Sequence, residues 1–218
     1  MEEKEFGVFG LGDFGKTVAL TLAKDGCQVL AVDHNEEIIS EIADYVTQAV
    51  KMDVRDIEAL RSLSLGGMDG VVIGLSENLE AAIMVAMAAK EAGVPYVLAK
   101  VHDDVQAHVL KKIGVDEVIF PEIAMGMRIA KALINGKYID LIALSNQFSI
   151  VEIKSQPAWI GKTLHQLKLR NRYNINMIGK KTGEQVDMWV DPDALIQEDE
   201  IWIVLGQNYE LEKMLRES

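Results

Sequence analysis

The chain has 218 residues, 49 % of them hydrophobic, and a formal net charge of −12. The length suits one or two domains, the apolar share excludes a disordered chain, and the acidic balance disfavours nucleic acid and anionic lipid as partners. No apolar run approaches the ~20 residues that span a bilayer. The acidic start, Met1 to Glu5, is not that of a signal peptide. The single cysteine, Cys27, excludes an intrachain disulfide and a thiolate zinc cluster. A cytosolic chain without direct membrane insertion is expected.

In chain order, the first 120 residues alternate strand-like and helix-like blocks. Phe6 to Phe9 reads as a strand, Phe14 to Lys24 as a helix, Gln28 to Val32 as a strand and Glu36 to Ala43 as a helix. Thr47 to Lys51 is a weak strand, Ile57 to Leu63 a helix, Val71 to Leu75 a buried strand and Leu79 to Glu91 a helix. Tyr96 to Lys100, Val105 to Lys112 and Glu117 to Phe120 continue as strand, helix, strand. Apolar strands separated by helices imply a parallel sheet covered on both faces, an α/β, Rossmann-like, doubly wound fold. Pro121 then opens a crossover helix and Gly136 stops it. That helix is apolar on two faces, Ile123/Met127/Ala130/Ile134 and Met125/Ile129/Leu133, so it needs cover on several sides and a partner subunit is a natural source.

From about Lys137 the pattern changes. Ile139 to Leu144, Ser149 to Ile153, Asn174 to Gly179, Val186 to Val190 and Ile201 to Leu205 read as strands in close succession. Lys162 to Leu167 and Tyr209 to Leu215 read as helices. The predicted organisation is a nucleotide-binding domain over 1–136, crossover helix 121–136 included, and a small α+β domain over 137–218 with mainly antiparallel pairing.

Gly10-Leu11-Gly12-Asp13-Phe14-Gly15 is a G-x-G-x-x-G between a strand and a helix. The first glycine permits the tight turn, the second lets backbone approach a phosphate and the third lets helix and strand pack closely. The helix N-terminus offers N–H groups and partial positive charge to an anion. Asp33 ends the second strand 18 residues beyond the last glycine (33 − 15), where a carboxylate accepts the hydroxyls of an adenosine ribose. Asp13 lies where phosphates would sit. Either it caps the helix and points away, or its repulsion is offset by Lys16 or a divalent cation.

Enzyme signatures are weak. Tyr96-Val97-Leu98-Ala99-Lys100 matches Y-x-x-x-K, but in a strand its two side chains stand roughly 13 Å apart. No Ser-His-Asp arrangement or metal-ligand cluster emerges, because His34, His102, His108 and His165 fall on different elements. A small NAD-dependent oxidoreductase remains the alternative from another class.

Taken together, the glycine loop, Leu30-Ala31-Val32-Asp33 with Asn35-Glu36, Val71-Val72-Ile73-Gly74 followed by Asn78, Lys100, Lys112-Ile113-Gly114-Val115-Asp116 and Phe120-Pro121-Glu122 resemble the RCK (regulator of potassium conductance) family of the TrkA and KtrA type, over nearly the whole chain. The resemblance implies a cytosolic regulatory subunit of a membrane potassium channel or transporter subunit of the TrkH/KtrB kind. It implies a homodimer, often built into an octameric ring, in which ligand exchange biases the channel. It assigns the nucleotide site to Gly10, Gly12, Asp13, Phe14, Gly15, Asp33, His34, Asn35, Ser76, Asn78 and Lys100, with Asp53 near the base and Glu122 at a cation site. KtrA-like chains carry an arginine in the glycine loop where this one has Asp13, which favours NAD, NADH, ADP or AMP over ATP. Some relatives bind cyclic di-AMP in the second domain, and the matching residues are Arg170, Ile175, Asn176 and Pro192. Arg170 can pair with a phosphate, and a solvated basic helix end with a turn proline is the other reading of that stretch.

Overall fold

The computed structural model describes residues 4–135, 138–145, 147–183 and 185–217. It divides into two compact units, the first running to Glu122 and the second from Ile123 onward.

In the first unit, β1 (Glu5–Phe9), β2 (Gln28–Asp33), β3 (Gln48–Lys51), β4 (Gly70–Ile73), β5 (Val97–Lys100) and β6 (Glu117–Ile119) form one sheet in the order β3-β2-β1-β4-β5-β6. Every pairing is parallel. Alternation along the strands sends side chains to two separate cores. Phe9, Val32, Val71 and Ile73 pack with Leu60 of α3 (Ile57–Ser62), Val85 of α4 (Leu79–Glu91) and Leu110 of α5 (Asp104–Ile113). Val8, Val29 and Ala31 pack with Ala19 of α1 (Asp13–Lys24) and Ile42 of α2 (Glu36–Ile42). Helices on both faces of a parallel sheet are the predicted doubly wound arrangement. It fixes the site, because ligands of such sheets bind at the carboxyl ends of strands where the strand order reverses, here between β1 and β4.

α6 (Pro121–Asn135) follows, and Gly136, predicted to stop it, lies outside the described residues. Ile123, Met125, Met127, Ile129 and Leu133 of α6 are exposed, from both of its apolar faces.

The second unit is an antiparallel sheet of β7 (Tyr138–Ala143), β8 (Phe148–Lys154), β9 (Asn176–Thr182), β10 (Gln185–Asp187) and β11 (Ile201–Gln207), ordered β10-β9-β11-β8-β7. Val151, Ile153, Trp202 and Val204 of the sheet bury against Trp159, Tyr173, Leu211 and Met214, the last two on α9 (Asn208–Glu217).

Two details differ from the sequence reading here. The strand expected to reach Val190 stops at Asp187, whose carboxylate accepts from Trp189 N–H at 2.8 Å and turns the chain, leaving Trp189 90 % exposed. One short helix was not foreseen. α7 (Leu164–Leu167), capped by Thr163, ends at Lys168 (φ 49°), and α8 (Leu169–Tyr173) runs from there to Asn174 (φ 51°). Two non-glycine residues in the left-handed region leave no glycine signal in the sequence. Among the described residues no helix is long and apolar enough to cross a membrane.

Candidate nucleotide-binding site

The glycine loop is shaped by close approaches. Gly10 has φ +87°, and a Cβ on Gly15 would lie 1.9 Å from the Gly10 carbonyl oxygen. A Cβ on Gly74, just beyond β4, would lie 2.7 Å from the same oxygen. Gly12 meets nothing within 4 Å, so its face is open to a ligand. Helices α2, α3, α4 and α5 are each capped by a side chain, from Asn35, Asp56, Asn78 and Asp103 respectively. α1 has Gly12 at its N-cap position and so no side-chain cap. First-turn N–H groups without a side-chain acceptor are what an anion at a helix start uses.

Asp33 ends β2, buried beneath this loop. One carboxylate oxygen accepts from Leu11 N–H at 2.7 Å, and the other accepts from Asn35 N–H at 2.8 Å, with His34 Nδ1 3.1 Å away. The acid therefore ties the glycine loop to the end of β2. Each carboxylate oxygen accepts more than one bond, so capacity for hydroxyls remains.

These groups open on a cavity of about 380 Å³ lined by Gly10, Gly12, Asp33, His34, Asn35, Asp53 and Asn78 from the predicted set. The cavity also takes in Gly74, Leu75 and Glu77 after β4, Arg55 after β3, and an apolar wall of Val32, Ile38, Val54 and Ala81. The Arg55 guanidinium grips Asp53 with Nη2 2.6 Å and Nε 2.9 Å from its two oxygens, and Arg55 N–H adds a bond at 3.0 Å. Those bonds hold the Asp53 carboxyl down at about 2 and push the guanidinium up.

Six predicted residues lie outside this cavity's lining. Asp13 is the exposed first residue of α1, and Lys16 pairs with Glu41 rather than with it. Phe14 packs on the core between sheet and α1, and Gly15 is consumed by the contact with Gly10. Ser76 is buried and its carbonyl accepts from Gln106. Lys100 Nζ pairs with Glu122 at 2.5 Å, which lowers the Glu122 carboxyl below the usual range. Among the described residues no three His, Cys, Asp or Glu side chains converge to hold a metal ion. With its carboxylate on a lysine, Glu122 in a single chain does not build the expected cation site. Tyr96 and Lys100 are also engaged separately, the Tyr96 hydroxyl donating to Glu117.

The TrkA-N domain family model matches residues 6–121, the stretch that builds this cavity. Ktr system potassium uptake protein C of Bacillus subtilis (strain 168) is 35 % identical over 204 residues, covering 94 % of this chain and 92 % of that protein. The chain belongs to the TrkA-N family. Ktr system potassium uptake protein A of Vibrio alginolyticus is 34 % identical over 214 residues, covering 98 % of this TrkA-N chain and 97 % of that protein. Among solved structures, the RCK domain of GsuK superposes with a TM-score of 0.63 at 16 % identity, over 98 % of this chain and 47 % of that one. A GsuK channel bound to NAD gives a TM-score of 0.62 at 16 % identity, over 96 % of this chain and 38 % of that one. The expected RCK resemblance and fold both hold.

The second unit of this TrkA-N chain carries a cavity of about 500 Å³ around α7, α8 and the start of β9. Arg170, Ile175, Asn176 and Pro192 all line it, with His165, Lys168, Leu169, Asn171 and Met177. None of its lining residues is acidic. Lys168 in the left-handed region turns the chain between the two helices, and Thr163 and Gln166 fix α7 by a reciprocal capping box.

Proposed function

We propose that this chain is a nucleotide-binding regulatory subunit that gates a membrane potassium channel or transporter from the cytoplasmic face, and that it is not an enzyme. The near full-length relatives are potassium uptake proteins. The observation that carries the nucleotide reading is the meeting of an uncapped α1 start, an open Gly12 and a buried Asp33 in one cavity.

The ligand is an adenine nucleotide of modest charge: NAD, NADH, ADP or AMP ahead of ATP. Cations close to the loop are already engaged, Arg55 by Asp53, Lys16 by Glu41 and Lys100 by Glu122, while Glu77 adds negative charge to the lining. Phosphate is then held mainly by backbone N–H groups and the helix dipole, which together offset about half an elementary charge. Asp33 also disfavours a 2′-phosphate, and so NADP. GsuK, solved with NAD, shares the fold.

Regulation follows as a population shift. A ligand that binds one arrangement of the subunit better than another biases the membrane partner by that difference. The exposed apolar residues of α6 suit a second copy of the chain, giving at least a homodimer. The basic cavity of the second unit suits cyclic di-AMP, with Arg170 on a phosphate and Pro192 against a base.

A thermal-shift panel of ATP, ADP, AMP, NAD, NADH and cyclic di-AMP tests the reading. A ligand at 100 times its Kd adds about 2.7 kcal/mol to stability. An adenine nucleotide is expected to raise the wild-type Tm and to raise that of Asp33→Ala by half as much or less. No shift with any mononucleotide or dinucleotide overturns the assignment, and loss of NADH absorbance with a carbonyl substrate points to the oxidoreductase.

A further inference from the structure

The loop after β4 lines the nucleotide cavity through Gly74, Leu75, Glu77 and Asn78. The loop after β5 begins next to Lys100, whose ammonium holds Glu122, the second residue of α6. One side chain joins these two loops. Gln106, in the first turn of α5, accepts from His102 N–H at 3.1 Å with its Oε1 and donates to the Ser76 carbonyl at 3.1 Å with its Nε2. Its own backbone N–H is fixed by the Asp103 cap at 2.8 Å, so the amide reaches out from a held position.

We propose that Gln106 is a positioning residue that ties the loop after β4 to the loop after β5, and so carries the ligand state of the cavity to the Lys100–Glu122 pair. The proposal rests on the reading that the cavity takes an adenine nucleotide. Ser76 is buried between cavity-lining neighbours, so any occupant that orders or displaces that loop moves the carbonyl Gln106 grips. The amide is suited to the task because it has an acceptor and a donor at one end. A carboxylate of the same length would turn an acceptor toward the Ser76 carbonyl, and a lysine would offer nothing to His102 N–H. A second link joins the same loops, His102 Nε2 to Glu77 Oε1 at 2.9 Å. The Glu77 side chain is 91 % exposed, so water and salt screen that link. Gln106 is half-buried and its bond to the Ser76 carbonyl is part-buried, so that end of the connection is the better shielded.

The test is amide hydrogen exchange on the full chain with and without saturating ADP, for wild type, Gln106→Ala and Gln106→Glu. In wild type, ADP is expected to slow exchange in both 74–79 and 100–104. In both variants the slowing in 74–79 persists, while that in 100–104 falls by about threefold or more. Gln106→Glu keeps the bond to His102 and opposes Ser76, so it reads the link even where the alanine variant folds poorly. A merely structural Gln106 would raise exchange in both loops without ligand and leave the ADP-induced difference intact. That result, or a wild type in which ADP slows 74–79 alone, overturns the proposal. Silence of ADP in both segments of the wild type overturns the nucleotide reading and this proposal together, and is recognised by the unresponsive 74–79.

Discussion

The cavity of the first unit is lined by three acids, with its one arginine held on Asp53, and that of the second by two cations. Asp33, Asp53 and Glu77 face the first, whereas Lys168 and Arg170 face the second and no acid lines it. In the first, attraction for an anion has to come from peptide dipoles at the start of α1, and those are aimed by glycines. In the second it comes from side chains on two short helices. The difference teaches where each site is fragile. A methyl group on the wrong glycine destroys the first, and a truncated side chain weakens the second.

The sharpest way to break this contrast is Gly15→Ala. Its Cβ would fall 1.9 Å from the Gly10 carbonyl oxygen, so strand and helix must separate. A loss of about 2–4 kcal/mol is expected in urea denaturation of the first unit. Gly12→Ala meets nothing within 4 Å and is expected to cost under about 1 kcal/mol while weakening ADP binding, because the methyl occupies the ligand's approach. Equal destabilisation by the two would deny the division of labour between the glycines.

Next in size is Asp33→Ala. Loss of a charged acceptor for ribose hydroxyls should weaken ADP about 10–100-fold in titration calorimetry. The same change leaves the Leu11 and Asn35 N–H groups without their acceptor and lowers stability by about 1–3 kcal/mol. Arg170→Ala sharpens the comparison from the other side. It should weaken cyclic di-AMP about tenfold with ADP affinity and Tm unchanged. A matching loss of ADP affinity would mean the two cavities do not act separately.

The smallest effect is a titration. Arg55 depresses the Asp53 carboxyl to about 2 in the folded chain, below its unfolded value. The contribution is present above the unfolded pKa and disappears as pH falls from about 4 toward 2. In Arg55→Ala, carbon-detected NMR should find the Asp53 carboxyl moved up toward its ordinary range but still below it, because the N–H of residue 55 goes on donating to it.

Much of this was legible because it is local in the chain. Gly10, Gly12, Asp33, Asn35 and Asn78 sit at strand ends and helix starts that hydrophobic periodicity marks by itself. Gly74 enters the sequence reading only as part of a motif, and Glu77 and Arg55 not at all, because what makes the three wall residues is the strand order β3-β2-β1-β4, a product of long-range pairing. The loop residues Asp13, Phe14 and Gly15 share the motif but face solvent, the core and Gly10 in turn, since successive residues of a turn and helix point different ways. In the second unit, alternation at Val186, Met188 and Val190 looked like a strand. Its pairing stops at Asp187, opposite Lys180, although β9 runs on to Asn176, because the Asp187 carboxylate turns the chain away at Trp189. The separate helix α8 hinged on two left-handed residues, Lys168 and Asn174, that composition does not flag.

The place of β1 in the sheet has a consequence for how the chain is made. β1 is paired on one side by β2 and on the other by β4. Translation delivers β2 soon after β1, but β4 only after β3 and two further helices. Until then a mostly apolar strand edge waits open at what will become the middle of the sheet, where any other extended segment could add to it. The interval between those two arrivals is when the nascent chain most needs a chaperone. Slowing translation between Lys51 and Gly70 should lengthen that exposure and lower the soluble yield.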